Sequence, residues 1–358
     1  VEKMTNQTIK HVLSNYLAVM TNQQLSRCKV AFFMDAKDSD DEEHLWREHE
    51  HLKKDFNQFY KERSSLDQHV VEKIADTLRS NKTEPFFSYL DLKVKLAEKI
   101  FHHCNFCEKA CEVNRNLEKG CCGVKNPLIA SEFLHVGEEP VLVPSHTVFF
   151  AGCNFNCVYC QNWDISQQPT RGISVEAKNL ALIIEKRINE GSRNVNFVGG
   201  DPTPNLHYIL RTMQLVRKNI PVIWNSNMYL SEDAMHLLDG FADLYLTDFK
   251  YGNNECAQRL SSIPDYMEVV ERNHKMAWEA GDIIIRHLVL PNHVECCSKP
   301  LLRWISQNLG REVVLNIMGQ YHPVYHADKY EEISRLPTYG EVGEVIDYAK
   351  GVGFKNLL

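Results

Sequence analysis

From residue 146 onward, short β-rich runs alternate with helix-length amphipathic segments, which predicts an α/β fold: a partial or open barrel of six βα units with right-handed crossovers. Composition agrees, since a chain of 358 residues with 44% hydrophobic and 24% charged content has ample apolar surface for a core. Cysteine usage adds a second constraint. Eight of the 12 cysteines crowd between positions 104 and 160, a spacing that suits metal ligation better than disulfide closure of long loops. Reduced thiols, no run of about 18 apolar residues and no apolar leader at the start lead us to expect a cytoplasmic protein away from membranes. The net charge of -7, from 40 basic and 47 acidic residues, argues against nucleic acid as a partner.

Residues 1–101 read as a helical N-terminal region that packs against a larger domain. The acidic run from Asp38 to Glu43 leads into Leu45, Leu52, Phe56, Phe59 and Tyr60, predicting an amphipathic helix whose acidic start suits the helix dipole. Ser65 with Gln68 forms a capping box ahead of Val70, Val71, Ile74 and Leu78. Ser88 is placed to cap a helix burying Leu90, Val94, Ala97 and Phe101. Residues 102–145 read as a cysteine-rich connector, and residues 146–358 as the βα core. Strands are expected at 146–152, 194–200, 221–227, 243–250, 282–291 and 313–320, with helices at 175–190, 301–309 and 341–350. The last residues, 356–358, resemble the start of a further strand.

Directly after the first expected strand, Cys153, Cys157 and Cys160 form a C-x3-C-x2-C loop. Thiolates select zinc, cuprous copper or iron-sulfur clusters, and a cubane held by three cysteines leaves one iron open to substrate or cofactor. A zinc knuckle with a fourth ligand from elsewhere satisfies the same spacing.

With Tyr159 in an aromatic slot before Cys160, this loop resembles that of the radical S-adenosylmethionine (SAM) superfamily. Gly199-Gly200-Asp201-Pro202 resembles that family's Gly-Gly-Glu-Pro element, which receives the methionyl ammonium of SAM; here Asp201 is one methylene shorter than the usual Glu. Asn225, Ser226 and Asn227, after the third strand, offer polar groups for the SAM ribose or carboxylate. Asp248-x-Lys250 resembles a pair in pyruvate formate-lyase activating enzymes, and the run from Arg286 through Leu288 to Pro291 resembles the Arg-x-x-Val-x-Pro pattern of the same branch, with Arg286 facing the SAM carboxylate. The closest resemblance is to uncharacterised relatives of that branch, and the segment from Gln320 through Tyr321, His322 and Pro323 to Arg335 points the same way.

Cys104-x2-Cys107-x3-Cys111 is followed by Gly120-Cys121-Cys122-Gly123-Val124-Lys125, which resembles a Gly-x-Cys-Gly-Val-Arg element of those relatives. By that match Cys104, Cys107, Cys111 and Cys122 close a second site, holding either zinc or a second 4Fe-4S cluster, with a structural role ahead of a redox one. Cys28, Cys121, Cys256, Cys296 and Cys297 remain, and the vicinal pair reads as buried or idle thiols rather than a third site.

The resemblance implies a radical SAM partial (β/α)6 barrel enzyme. Its 4Fe-4S cluster on Cys153, Cys157 and Cys160 reduces SAM, and the 5'-deoxyadenosyl radical abstracts hydrogen from a protein or peptide substrate. A reductant protein of flavodoxin or ferredoxin type is the expected electron donor. Radical chemistry on a small molecule or RNA, and a non-catalytic cluster scaffold, are the competing readings; a mere scaffold would not need the SAM-binding series.

Overall fold

The computed structural model of the chain describes residues 8–63 and 86–358. The capping box at Ser65 and the helix expected after it lie outside these residues.

One sheet of eight strands runs in chain order: β1 Ile129–His135, β2 Ser145–Phe150, β3 Val195–Gly199, β4 Val222–Ser226, β5 Leu244–Asp248, β6 Asp282–Leu288, β7 Val314–Met318 and β8 Asn356–Leu357. From β2 to β8 every pairing is parallel, with β1 antiparallel to β2 at one edge. The six expected strands are all present. They were legible because strands covered on both faces read as near-continuous β-branched and apolar runs. The sheet also has β1, inside the stretch read as connector, and β8 at the end of the chain. Edge strand β1 buries one residue fully and carries Glu132 and His135, so it lacks the alternation that announces a strand.

The helices are α1 Ser14–Met20, preceded by a helical turn at 8–12 and lying on the inner face, and α2 Arg27–Phe33, α3 Glu42–Arg63, α4 Tyr89–His102, α5 Trp163–Ser166, α6 Ala177–Asn189, α7 Leu206–Leu215, α8 Glu232–Leu238, α9 Asn254–Ser261, α10 Tyr266–Ala280, α11 Lys299–Asn308 and α12 Tyr339–Val352, most of which cover the outer face. Ser88 caps α4 as expected, its hydroxyl accepting from the Asp91 N–H while the Asp91 carboxylate accepts from the Ser88 N–H. α2, α3 and α4 share one continuous core with the βα units, in which Phe56, Tyr89 and Leu96 join Trp224 and Phe197.

A smaller core fills the other face. Ile223, Leu244, Leu246, Ile284 and Val314 point there and meet Ile9, Leu13 and Tyr16 from the N-terminal helical segment. Asp282, the first residue of β6, fastens this contact by accepting from the Tyr16 N–H at 2.8 Å and from Asn15 Nδ2 at 3.0 Å. Asp243, one residue before β5, accepts from the Arg27 and Val222 N–H groups, each at 2.8 Å. These partners close the amino-terminal half of the inner face. Two residues further along each strand, the same face turns polar.

Candidate active site

That polar half is a cavity of about 470 Å³, within the usual range for a small-molecule site. Period-2 alternation sets its lining: Ile223 gives way to Asn225, Leu246 to Asp248, Ile284 to Arg286, and Val314 to Asn316. Cys153, Cys157, Tyr159 and Cys160 enter from the loop after β2, Gly199, Gly200 and Asp201 from the end of β3, and Ser226 and Asn227 from the end of β4. Lys250 follows β5, and Leu288 ends β6. All fourteen residues singled out for the cluster and for SAM therefore face one space.

Glycines make the close approach between β2 and β3 possible. At Gly199, where φ is +129°, a Cβ would lie 2.2 Å from the Phe150 carbonyl oxygen, and at Gly200 it would lie 2.1 Å from that of Gly152. Asp201 N–H then bonds the Gly152 carbonyl at 3.0 Å, locking the β3 loop to the start of the cysteine loop.

Each motif sulfur has its own polar neighbour. Cys153 Sγ accepts from the Phe155 N–H at 3.3 Å, Cys157 Sγ from the Ser261 hydroxyl at 2.9 Å, and Cys160 Sγ lies 3.2 Å from Ser166 Oγ. Burial raises the Cys153 thiol well above its ordinary pKa and pushes Cys157 up to about 11, so loading a metal centre here must displace protons. Behind the loop, Tyr159 donates to Tyr251 at 2.7 Å, and Tyr251 meets Ser261 at 2.5 Å. Tyr321 packs edge-on to Tyr159 with its hydroxyl on the Ile333 carbonyl; it supports the loop and stays out of the cavity, as does the exposed His322.

The charged groups are paired. Lys250 Nζ sits 2.7 Å from Asp248 Oδ2; burial pulls its pKa down, but Asp248 and the neighbouring Cys157 more than offset this and hold the ammonium charged. Arg286 is bidentate to Glu139, Nε to Oε1 at 2.8 Å and Nη2 to Oε2 at 2.6 Å, and Nη2 also pairs with Glu138. Burial opposes ionisation of Glu139, yet the Arg286 bonds win and its pKa falls. Glu138 and Glu139 line the cavity, and the sequence reading missed them because they sit on a loop between β1 and β2 with no periodicity to mark it. Asn316 and Met318 were missed for a different reason: β7 was expected, but its inward positions carried no motif.

Asp201 differs in detail from the expectation of an ammonium receptor. Its carboxylate is buried and already accepts from the Thr203 and Asn227 N–H groups, each at 2.9 Å, and from Ser226 Oγ at 3.1 Å. One methylene short, it turns back onto its own loop and braces the ends of β3 and β4. Asn227, so held, donates to Asn154 at 2.7 Å beside Cys153.

The upstream cysteines lie against this site. A Cβ on Gly120 would touch both Cys111 Sγ at 3.3 Å and Cys122 Sγ at 3.4 Å. Cys107 bridges Leu230 after β4, and the Cys122 carbonyl approaches Gly152. Arg115, fully buried, donates to Cys104 Sγ at 3.5 Å and supplies positive charge to the group. Burial pushes the Cys104 thiol up to about 11. Cys121 is exposed and Cys28 buried in the core. No helix among the described residues is long and apolar enough to cross a membrane.

The residues present fit a 4Fe-4S cluster and SAM: three thiols with separate hydrogen-bond partners, carboxylates and cations in one cavity, and no fourth cysteine among its lining residues. The match to a family model agrees. A model of the radical SAM superfamily matches residues 147–305. The uncharacterized protein MJ0674 of Methanocaldococcus jannaschii is 52% identical over 267 residues, covering 73% of this chain and 78% of that protein. A second uncharacterized protein of that organism, MJ0808, is 26% identical over 178 residues, 49% of this chain and 52% of its own. The structure of Streptococcus suis SuiB bound to precursor peptide SuiA aligns with a TM-score of 0.43 at 15% identity, covering 57% of this chain and 46% of that one, so this chain spans about half of its length. The chain belongs to the radical SAM superfamily, enzymes that use a 4Fe-4S cluster and SAM.

Proposed function

We propose that this enzyme cleaves SAM reductively at a 4Fe-4S cluster on Cys153, Cys157 and Cys160, and that the 5'-deoxyadenosyl radical takes a hydrogen atom from a protein or peptide, as in the pyruvate formate-lyase activating enzyme branch. The observation carrying this reading is convergence: motifs at the ends of β2 to β6 supply one cavity. The chain's own part is binding and exclusion. The N–H of Phe155 and the hydroxyls of Ser261 and Ser166 stabilise the thiolates, and the Tyr159, Tyr251 and Tyr321 rings shield the loop from water behind. Lys250 and Arg286 present fixed positive charge for the SAM carboxylate. Arg286 Nη1 is not engaged by either glutamate, while Asp248, Glu138 and Glu139 offer acceptors for the ammonium and ribose.

A macromolecular substrate is supported at the rim, where Trp163, next to cavity-lining Asn162, is partly exposed and stacks on Tyr325 at 5.6 Å. The net charge of -7 disfavours RNA. A flavodoxin or ferredoxin type protein supplies the electron. Cys104, Cys107, Cys111 and Cys122 form a closed site, zinc or 4Fe-4S, that pins the connector beside the loops after β2 and β4.

Anaerobic reconstitution followed by dithionite-dependent release of 5'-deoxyadenosine tests the reaction. Cys157→Ala is expected to abolish release, and Arg286→Ala to raise the KM for SAM roughly tenfold or more, the worth of a charge-assisted hydrogen bond. Undiminished release by the Cys157 variant removes the assignment. Deuterium should pass into 5'-deoxyadenosine from a deuterated protein fraction of a cell extract; transfer from its small-molecule fraction alone would remove the peptide reading.

A further inference from the structure

We propose a mononuclear zinc site on Cys256, His293 and Cys296, outside the SAM cavity. Among the described residues these three bring one donor atom each to within 4.8 Å of one another. The Sγ atoms of Cys256 and Cys296 are 3.9 Å apart, as are those of Cys296 and Cys297. Two thiolates on one tetrahedral zinc, at Zn–S distances of about 2.3 Å, stand about 3.8 Å apart. A disulfide requires about 2.05 Å, and all these cysteines are free. A 4Fe-4S cubane holds its thiolates on different irons and spreads them wider, and a 2Fe-2S cluster sets its second pair of ligands on a separate iron, whereas all three donors here lie within 4.8 Å of one another. The spacing therefore selects a single soft ion, and the sulfur-plus-imidazole set selects zinc.

His293 is prepared for this role. It is buried, and its Nδ1 lies 2.8 Å from the Pro291 carbonyl, which fixes Nδ1–H as donor and keeps the lone pair on Nε2, on an imidazole that already hydrogen-bonds the Cys256 thiol. The cysteines are placed by two loops in direct contact. Asn253 caps α9 by accepting from the Cys256 N–H at 2.7 Å, and its amide donates to the Cys296 carbonyl at 2.7 Å. A Cβ on Gly252 would lie 2.5 Å from the Cys297 carbonyl oxygen, so only glycine lets the loops meet. The residues Val294–Ser298 wind as a single π turn, with the Cys297 and Ser298 N–H groups both on the His293 carbonyl. Cys297 stands beside the three donors and is the nearest sulfur for the fourth corner. In this proposal Cys296, expected to be an idle thiol, becomes a ligand.

The position gives the ion a task. Cys256 follows β5 and Asp248 with Lys250; His293 and Cys296 follow β6 and Arg286. A metal here ties together the two loops that leave the SAM cavity on that side. None of the three donors lines the cavity, so the site is separable from catalysis.

The test uses the full chain with its clusters reconstituted, supplied with Zn2+, dialysed against a mild chelator and measured for zinc and iron. Cys296 is exposed, so Cys296→Ser should fold. Relative to the unchanged chain it is expected to lose about one zinc equivalent with iron unaltered, and zinc-edge X-ray absorption of the unchanged chain should show sulfur at about 2.3 Å together with nitrogen. His293→Gln, which keeps every thiol, should lose the same equivalent. Equal zinc in both variants and the unchanged chain overturns the site, as does a fall in iron that matches the fall in zinc. Loss of SAM cleavage with iron and zinc intact would count against the proposed function and leave this site standing.

Discussion

Lys93 illustrates what individual residues contribute beyond the active site. Its amine is fully buried between α4 and the end of α8, donating to the Asp239 carbonyl at 2.6 Å and the His236 carbonyl at 3.3 Å. It also lies 3.0 Å from His49 Nε2 and 4.2 Å above the Tyr89 ring. Burial, chiefly, lowers its pKa from 10.5 to about 7. Between those values the unfolded chain holds a proton on this amine that the folded chain lacks, so the group makes stability rise with pH across that window. Below about pH 7 its cost is fully present. Lys93→Met removes this contribution. The stability difference between the two proteins, from denaturant unfolding at successive pH values, should change by up to about 1.4 kcal/mol per pH unit between pH 7 and 10; a flat difference would contradict the assignment. A buried lysine of this kind leaves no mark in the sequence, where Lys93 sits one residue from Val94 on an amphipathic pattern. The same holds for Asp201: its identity was legible, but not that its carboxylate would be taken up by Thr203, Ser226 and Asn227.

At the scale of elements, the loops after β2 and β3 work as a unit, because Gly200 and Gly152 touch backbone to backbone. Gly200→Ala must push the Gly152 carbonyl away, with an overpacking cost of about 1–3 kcal/mol or more. The displaced cysteine loop should then retain less iron. Thermal unfolding and iron content after reconstitution check this together, and a variant with unchanged iron would show that the contact is not needed for the cluster loop. Strands β2 to β7 and helices α3, α4, α6, α11 and α12 were legible because each buries enough apolar surface in a regular period. The β1 edge and the glutamate loop after it were not. Their roles depend on what lies across from them: Phe149 under Phe133, and Arg286 against Glu138 and Glu139.

Across the whole molecule, the inner face of the sheet is divided by height, with an apolar floor closed by the N-terminal helical segment and a polar cavity above it. Leu13, fully buried on that floor, should cost about 2–5 kcal/mol when changed to Ala. Such a loss should appear as a lower Tm with the motif cysteines still able to take iron at low temperature; an unchanged Tm would mean that this segment is not part of the cooperative core. By itself the sequence determined the α/β class and the six parallel strands, because local periodicity is encoded within a few residues, while the residues that face one another at their carboxyl ends were legible through the family that their motifs resemble. Only the tertiary structure decided which groups pair across long separations. Residue 16 lies 266 positions from Asp282, Glu139 lies 147 from Arg286, and Cys256 lies 40 from Cys296. Such pairings are set by how the strands stack and where the loops meet, and no local pattern encodes them.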